Sequence, residues 1–389
     1  MMRNANMACR CHRYILDGLR IACAILVFLA ILSESLQGLE PVENDREQVD
    51  KQSAGELKST LLVDDYRPLN RYSFADGVAS LVEAKQSWRE ERKCISCHTT
   101  GWGLAAQPAI DSGSEEVAEG RAFAQKYLTT HLDGDVKAHG QYGSIEGMVA
   151  TSAFLAMSDA RTGNAIHKAT RQGLDYAWES LAESGTWEDW LQCNWPPFES
   201  DAEFGPTLML VALGELREVA DLEDQDVQAA GKLSAYLRDS PPLSLHAKAM
   251  RLWAASSWPE LIRSKDQKTW LLELTDAQAT DGGWSMASLS GPAWKRDGGE
   301  GQTTTSEAYP TAFAIYVLMN TGLAPDNTVL EGGLRWLREH QREGGDWFTR
   351  SPRRDRKHYI SRAATAFALM ALAESDGTKG IATKPSEGL

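Results

Sequence analysis

An internal repeat of small, alanine-rich apolar segments constrains the fold of this chain more than any other feature. Equivalent positions in four of them lie about 55 residues apart, with one gap of double length that a fifth segment fills. The five segments cover residues 148–157, 207–213, 246–254, 311–318 and 365–372. Alanine-rich helices with apolar residues on nearly every face are buried by their neighbours. The repeat therefore predicts a layer of inner helices.

A second repeated element precedes the inner segments. Its full form, Gly-x2-Trp-Leu-x3-Gln-x3-Gly-x-Trp, covers residues 333–347. A near-complete copy covers 274–284, a copy with Leu181 in place of glutamine covers 173–187, and a shortened relative covers 77–88. The spacing predicts a helix ending at the glutamine, a glycine turn with positive φ, and a tryptophan folded back over it. We expect the glutamine amide to bond groups left open at the helix end while the indole covers them.

Between these elements the chain alternates apolar helical stretches with breaks rich in Gly, Pro and Asp. No run alternates with period two, so strands are not expected. One pair alone leaves an apolar face open, whereas six pairs can close into a ring with the alanine-rich helices inside. The predicted pairs are 74–87 with 100–110, 115–132 with 145–159, 164–183 with 205–218, 224–238 with 243–255, 258–278 with 307–321, and 328–342 with 362–374.

The glutamine–tryptophan element resembles the QW motif of squalene-hopene and oxidosqualene cyclases, and related helix pairs build protein prenyltransferase β-subunits. From about residue 74 to 375 the chain is similar to that superfamily, which implies an all-α fold, an α/α toroid. It also looks like a bacterial exported branch with a Cys-x-Ser-Cys-His-Thr box ahead of the repeats, matched here by 94–99. Segments 197–207 and 360–365 look like that branch too. The resemblance implies a fold, not a reaction.

The run Cys94-Ile95-Ser96-Cys97-His98 has the spacing of a c-type haem attachment site. In such a site the two cysteines form thioethers and the imidazole binds the haem iron. We therefore expect haem c on Cys94 and Cys97, with His98 as the metal ligand. A disulfide between the two cysteines and a zinc half-site are the alternatives, but no second Cys pair or His-x3-His completes a zinc site.

Four residues downstream of the box are candidates for the sixth iron ligand: Met148, Met157, His131 and His139. Both methionines lie in a predicted core helix, where methionine is usually packing. Too few residues separate the box from the next helix pair for a free-standing cytochrome domain. A haem attached here would have to pack against the helices of the ring.

Acidic residues cluster where the third inner helix is predicted to start: Glu199, Asp201 and Glu203. In the family, an Asp-x-Asp-Asp box at the start of an inner helix supplies the acid that attacks an alkene. The resemblance places Glu203 level with its first aspartate, but Gly205 and Pro206 level with the last two. The cluster has two interpretations: caps favoured by the helix dipole, or a catalytic or ligand-binding acid.

One cationic run, residues 350–357, holds five basic residues in eight. It is either a solvated loop or a partner for a haem propionate or a pyrophosphate.

The first residues predict the compartment. A basic start and the apolar run 21–32 are typical of a signal peptide, predicted here as 1–35 and followed by a linker over 36–70. The toroid is predicted over 71–380 and a disordered tail over 381–389. We expect a periplasmic or secreted chain without a membrane anchor after processing. Its net charge of −14 disfavours nucleic acid as a partner.

Together these features predict an exported toroid protein with covalent haem and a redox or electron-transfer role. An apolar small molecule or lipid is the expected ligand, and a redox protein the expected partner. Two other functions stay open: a terpenoid cyclase-like acid catalyst, and a non-enzymatic binding or scaffold toroid. The sequence does not decide whether the protein is an enzyme.

Overall fold

The computed structural model describes residues 71–134, 144–163, 165–188, 190, 195–198, 200, 202–324 and 326–377. The predicted signal peptide, the linker over 36–70 and the tail over 381–389 lie outside these residues.

The described chain is mostly helical. Its thirteen α-helices are α1 Phe74–Arg92, α2 Trp102–Ile110, α3 Glu115–Asp133, α4 Ser144–Arg161, α5 Lys168–Glu179, α6 Phe204–Leu216, α7 Asp224–Asp239, α8 Leu245–Ser257, α9 Ser264–Asp276, α10 Met286–Leu289, α11 Ala308–Asn320, α12 Thr328–Glu339 and α13 Ile360–Ser375. A π-helical turn, Cys97–Gly101, precedes α2, and a 3-10 turn, Pro259–Leu261, precedes α9.

Six of these helices form a closed inner ring. Each of α2, α4, α6, α8, α11 and α13 packs against the next, and α13 packs against α2. Their outer partners are α1, α3, α5, α7, α9 and α12. The predicted all-α toroid of six helix pairs is confirmed. The third outer helix is shorter than predicted, beginning at Lys168 and ending at Glu179.

Two short strands depart from the prediction. β1 Trp284–Ser285 pairs antiparallel with β2 Ser306–Glu307, with Trp284 opposite Glu307. Two residues are too few to produce a period-two pattern, so the sequence carried no signal for them. The pair ties the glycine turn after α9 to the start of α11.

The repeated turns hold the helix ends through their tryptophans. The Trp347 indole N–H donates to the Leu337 carbonyl oxygen at 2.8 Å, and Trp284 donates to the Leu274 carbonyl oxygen at the same distance. Gly345 lies at φ 83°, and a Cβ there would sit 2.2 Å from the backbone oxygen of Asp76. The turn therefore requires glycine for its conformation and for the close approach of the neighbouring helix.

The glutamine of each full motif joins one outer helix to the next, rather than serving only its own helix end. Gln341 donates to the backbone oxygens of Gly345 and Ser73, each at 2.8 Å, and accepts from the Ser73 backbone N–H at 2.8 Å. Ser73 caps α1, so this contact links the last outer helix to the first. Gln278 makes the same bridge to Val329 in the first turn of α12.

The predicted shortened motif over 77–88 is wrong. These residues lie inside α1, and no turn follows Gln86. Its amide donates instead to Glu116 at 3.1 Å. The spacing was coincidental, because a glutamine and a tryptophan two positions apart also fit a continuous helix.

Aromatic side chains fill the centre of the ring. Trp102 packs against Phe367 with ring centroids 4.6 Å apart and stacks on Trp253 at 5.8 Å. The other members of this central cluster are Phe154, Phe198, Tyr309 and Phe313. Within the described residues, no helix is both long enough and apolar enough to span a membrane.

Candidate functional site

The cysteine box forms the connection between the first outer and first inner helices. α1 ends before Lys93, which turns the chain with a left-handed backbone at φ 54°. The π-helical turn then starts at Cys97 and runs directly into α2. The Ser96 backbone N–H donates to the Thr100 hydroxyl at 3.0 Å, which closes the loop between them. The box is therefore anchored to the ring.

Neither thiol of the box forms a disulfide in the structure. Cys94 is half-buried and Cys97 is 2% exposed. The Cys97 thiol donates a long hydrogen bond to Glu146 Oε1 at 4.0 Å. Burial raises the pKa of the Cys94 thiol, and the neighbouring Trp88 indole and Arg92 guanidinium partly offset this rise. Burial thus favours the protonated Cys94 thiol.

The imidazole of His98 is covered by the segment 195–198. Its ring is 5% exposed and packs against Phe198 and Trp195 at centroid distances of 5.0 and 6.3 Å. Nε2 lies 3.3 Å from the Pro196 carbonyl oxygen. A carbonyl can only accept, so this contact requires the proton on Nε2.

The donor set suits a c-type haem. Two thiols without a disulfide stand in the required spacing beside an imidazole, and the buried guanidinium of Arg362, over the Trp88 ring, has N–H groups without an acceptor among the described residues. Binding iron through His98 would exchange the Pro196 carbonyl for the metal, and segment 195–198 would have to move aside. Within the described ranges, no three His, Cys, Asp or Glu side chains gather as a metal-binding group.

The candidates for a sixth ligand are scattered. Met148 and Met157 are buried in α4. His131 Nδ1 lies 2.7 Å from the Tyr127 backbone oxygen in its own helix. His139 lies outside the described residues. None is placed against the His98 imidazole by a contact in the structure.

Of the predicted acidic cluster, the structure describes only Glu203; Glu199 and Asp201 lie outside the described residues. Glu203 occupies the cap position of α6, but its side chain makes no capping hydrogen bond. Its Oε2 instead lies 2.8 Å from Arg251 Nη2, in a buried ion pair between α6 and α8. The capping interpretation of Glu203 is therefore wrong, because the guanidinium of Arg251 competes successfully for the carboxylate.

Beside this ion pair lies a shallow concavity that the sequence did not reveal. It is open to solvent, has a volume of about 10 Å³, roughly the space of one water molecule, and is lined by Pro197, Glu203, Phe204, Thr207, His246, Ala247 and Met250. His246 Nε2 lies 2.8 Å from the Tyr309 hydroxyl. Burial lowers the pKa of His246 to about 3, so the imidazole is neutral. These side chains can present one neutral hydrogen-bonding pair to an apolar ligand.

A second buried carboxyl was also missed. Glu307 is 8% exposed, accepts from the Arg350 backbone N–H at 2.8 Å through Oε1, and leaves Oε2 without a hydrogen-bond partner among the described residues. Burial raises its pKa to about 7. One signal was available: Glu307 precedes Thr311 by the same four positions by which Glu203 precedes Thr207.

The basic run is largely paired with acidic neighbours. Arg350 bonds Asp355 at 2.7 Å and Glu300 at 3.2 Å. Arg354 bonds Asp297 at 2.6 Å. His358, next to the run, is buried and accepts from the Ser351 backbone N–H at 2.9 Å.

Two further cations of the run, Arg353 and Lys357, lie over the Trp195 ring at 5.2 and 5.9 Å. They therefore flank the segment that covers His98.

Residues 260–378 match the family model of the squalene-hopene cyclase C-terminal domain. Among curated protein sequences, none matches this chain. Solved structures with a similar course include the type II terpene cyclase MstE from Scytonema, at 11% identity and a TM-score of 0.48, covering 78% of this chain and 99% of that one. A glycosyl hydrolase family 88 protein from Bacteroides vulgatus has 8% identity and a TM-score of 0.48, covering 78% and 99%. The repeated motif and the closed ring of helix pairs make this chain an α/α toroid, and its residues 260–378 are similar to the squalene-hopene cyclase C-terminal domain.

Proposed function

We propose that this protein is an exported toroid carrying one covalent haem c, with a redox or electron-transfer role. One observation carries the proposal: Cys94 and Cys97, which form no disulfide, and the adjacent His98 imidazole are anchored together at the first turn of the ring. The signal peptide over 1–35 supports export to the periplasm or the cell exterior, where c-type haem is attached.

The chain's own residues would hold and shield such a group. Cys94 and Cys97 would bind it covalently, and His98 would bind its iron. The haem would supply one-electron chemistry. Trp195 and Phe198 cover the imidazole in the structure, and both would have to move aside for it to bind the iron.

An apolar ligand would bind at the concavity beside the ring centre only after the concavity opens, because it has room for about one water molecule as it stands. Phe204 and Met250 provide an apolar wall, and His246 with Tyr309 provides a polar contact. A redox partner protein would approach the outer surface near the box, where Cys94 is half-buried rather than enclosed.

A non-enzymatic binding or scaffold role is the second candidate. The aromatic side chains at the ring centre favour it, because they pack against one another where a substrate chamber would otherwise lie. The cyclase-like alternative has less support, because Glu203 is ion-paired with Arg251 rather than held as a carboxylic acid.

The test is the visible spectrum of the full chain expressed in a haem-attaching host. Wild-type protein should show a haem spectrum that survives denaturation and acid-acetone extraction. The double variant Cys94→Ser/Cys97→Ser should lose it, and His98→Ala should keep the haem with altered ligation. Cys193→Ser, a cysteine outside the box, is the matched control. A colourless wild-type protein from a competent host would remove the redox proposal and leave the scaffold role.

A further inference from the structure

Arg362 is a buried cation with unsatisfied donors. It lies in the first turn of α13 and is 5% exposed. Its Nε and Nη1 have no hydrogen-bond partner among the described residues. Leaving a charged group buried and unpaired is strongly unfavourable, so a position of this kind calls for an explanation.

The surroundings of Arg362 are aromatic and positive. Its guanidinium lies 5.4 Å from the centre of the Trp88 ring, and Arg92 lies 5.7 Å from the same ring. Tyr359 packs edge-on against Trp88 at 5.2 Å. Burial lowers the pKa of Arg362, Arg92 lowers it further, and Tyr359 and Glu91 act in the opposite direction. No carboxylate among the described residues bonds the guanidinium.

This cationic pocket adjoins the cysteine box. Trp88 and Arg92 are the groups that offset the raised pKa of the Cys94 thiol, so they border that sulfur. On the other side, Tyr359 packs against Trp195 at 6.0 Å, and Trp195 packs against His98 at 6.3 Å. A continuous aromatic wall therefore joins the Arg362 pocket to the imidazole of the box.

We propose that Arg362, walled by Trp88 and Tyr359, binds a carboxylate carried by the molecule that the cysteine box holds. The start of α13 adds partial positive charge to the same place. The inference rests on the proposed function, because the carboxylate of a haem held at Cys94 and Cys97 is a propionate. A free carboxylate from solution offers the same chemistry, and the experiment separates the two sources.

The first arm measures the midpoint potential of the haem in the holoprotein. Arg362→Gln removes a positive charge near the iron, so its potential should fall below that of wild type, while Arg362→Lys should restore most of the value. Arg217→Gln is the matched control, because Arg217 stacks on Trp258 at 4.6 Å elsewhere in the ring. An unchanged potential in a haem-loaded Arg362→Gln protein would overturn the inference and leave the proposed function standing.

The second arm uses the haem-free double variant Cys94→Ser/Cys97→Ser. Without a carboxylate the charge of Arg362 stays unpaired, so adding Arg362→Met should raise the melting temperature. In the haem-loaded protein the same change should lower it. A melting temperature that moves in the same direction in both backgrounds would contradict the inference.

If the wild-type chain acquires no covalent haem, the proposed function is refuted, but carboxylate binding at Arg362 can still be tested. Sodium propionate is then the probe. If it raises the melting temperature of wild type but not of Arg362→Gln, the pocket binds a free carboxylate. If it acts equally on both, the pocket is not a carboxylate site.

Discussion

Gly345 shows how single residues fix the ring. Its positive φ is needed for the turn, and its missing Cβ lets the backbone of Asp76 approach. Gly322 has the same φ of 83° with nothing within 4 Å of the Cβ position. Gly322→Ala should therefore cost about 1 kcal/mol of unfolding free energy from backbone strain alone. Gly345→Ala adds a collision and should cost about 3 kcal/mol. Chemical denaturation of both variants measures the difference, and equal losses would show that the close approach contributes nothing.

Glu307 makes stability depend on pH. Its pKa is raised from 4.5 to about 7 in the folded protein, so the unfolded chain loses this proton first as pH rises. Wild type should therefore lose about 3 kcal/mol of unfolding free energy between about pH 4.5 and 7 through this group. Glu307→Gln should be more stable than wild type at pH 8, with a smaller advantage at pH 5. Urea denaturation at both values tests this, with the exposed Glu300→Gln as control. Parallel pH profiles for wild type and Glu307→Gln would contradict the prediction.

The ion pair of Glu203 with Arg251 predicts that squalene is not a substrate. Acid-initiated cyclisation needs a carboxylic acid that gives up a proton, and here the carboxylate is held by a guanidinium at 2.8 Å. The resemblance to the cyclases would also place Gly205 and Pro206 where the cyclase box has its two adjacent aspartates. Detergent-solubilised squalene should be recovered unchanged after incubation with the protein. A polycyclic product that disappears in Glu203→Gln would show that the acid is competent after all.

The sequence predicted that the secondary-structure elements are helices, and it predicted their order along the chain. The alanine-rich segments and the glycine–tryptophan turns are local signals, and both are satisfied within one helix pair. The bridging role of Gln341 could not be read in advance, because its partner Ser73 lies 268 residues away in the chain. For the same reason the pairing of Trp284 with Glu307 had no local signature.

The hydrogen bonds of Gln341 should hold the last outer helix, α12, against the first, α1. Gln341→Ala removes three hydrogen bonds, two of them to Ser73 at the start of α1. Amide hydrogen exchange should therefore quicken in the first turns of α1 while α6 stays protected. Gln278→Ala is the control, because it loses the equivalent bridge to Val329 and should loosen the start of α12 instead. Equal exchange in α1 for both variants would show that the Gln341 contacts do not specifically stabilise the start of α1.

For the whole molecule, the ring of helix pairs could be predicted from the sequence, whereas the side chains that meet at its centre could not. The repeats require six helix pairs, but aromatic filling of the centre depends on how side chains from distant helices meet. The box at 94–98 was evident from spacing, whereas Arg362 reaches Trp88 beside the box only through the ring closure that brings α13 against α1. The acidic cluster misled because the partner of Glu203, Arg251, lies on another helix.

Covalent haem at the box is the central claim, and the intact mass of the denatured, unreduced protein tests it most directly. Protein matured in a haem-attaching host should be heavier by one haem, and peptide mapping should place the added mass on the segment holding Cys94 and Cys97. Two unmodified thiols, or a loss of two hydrogens from a Cys94–Cys97 disulfide, would contradict the account.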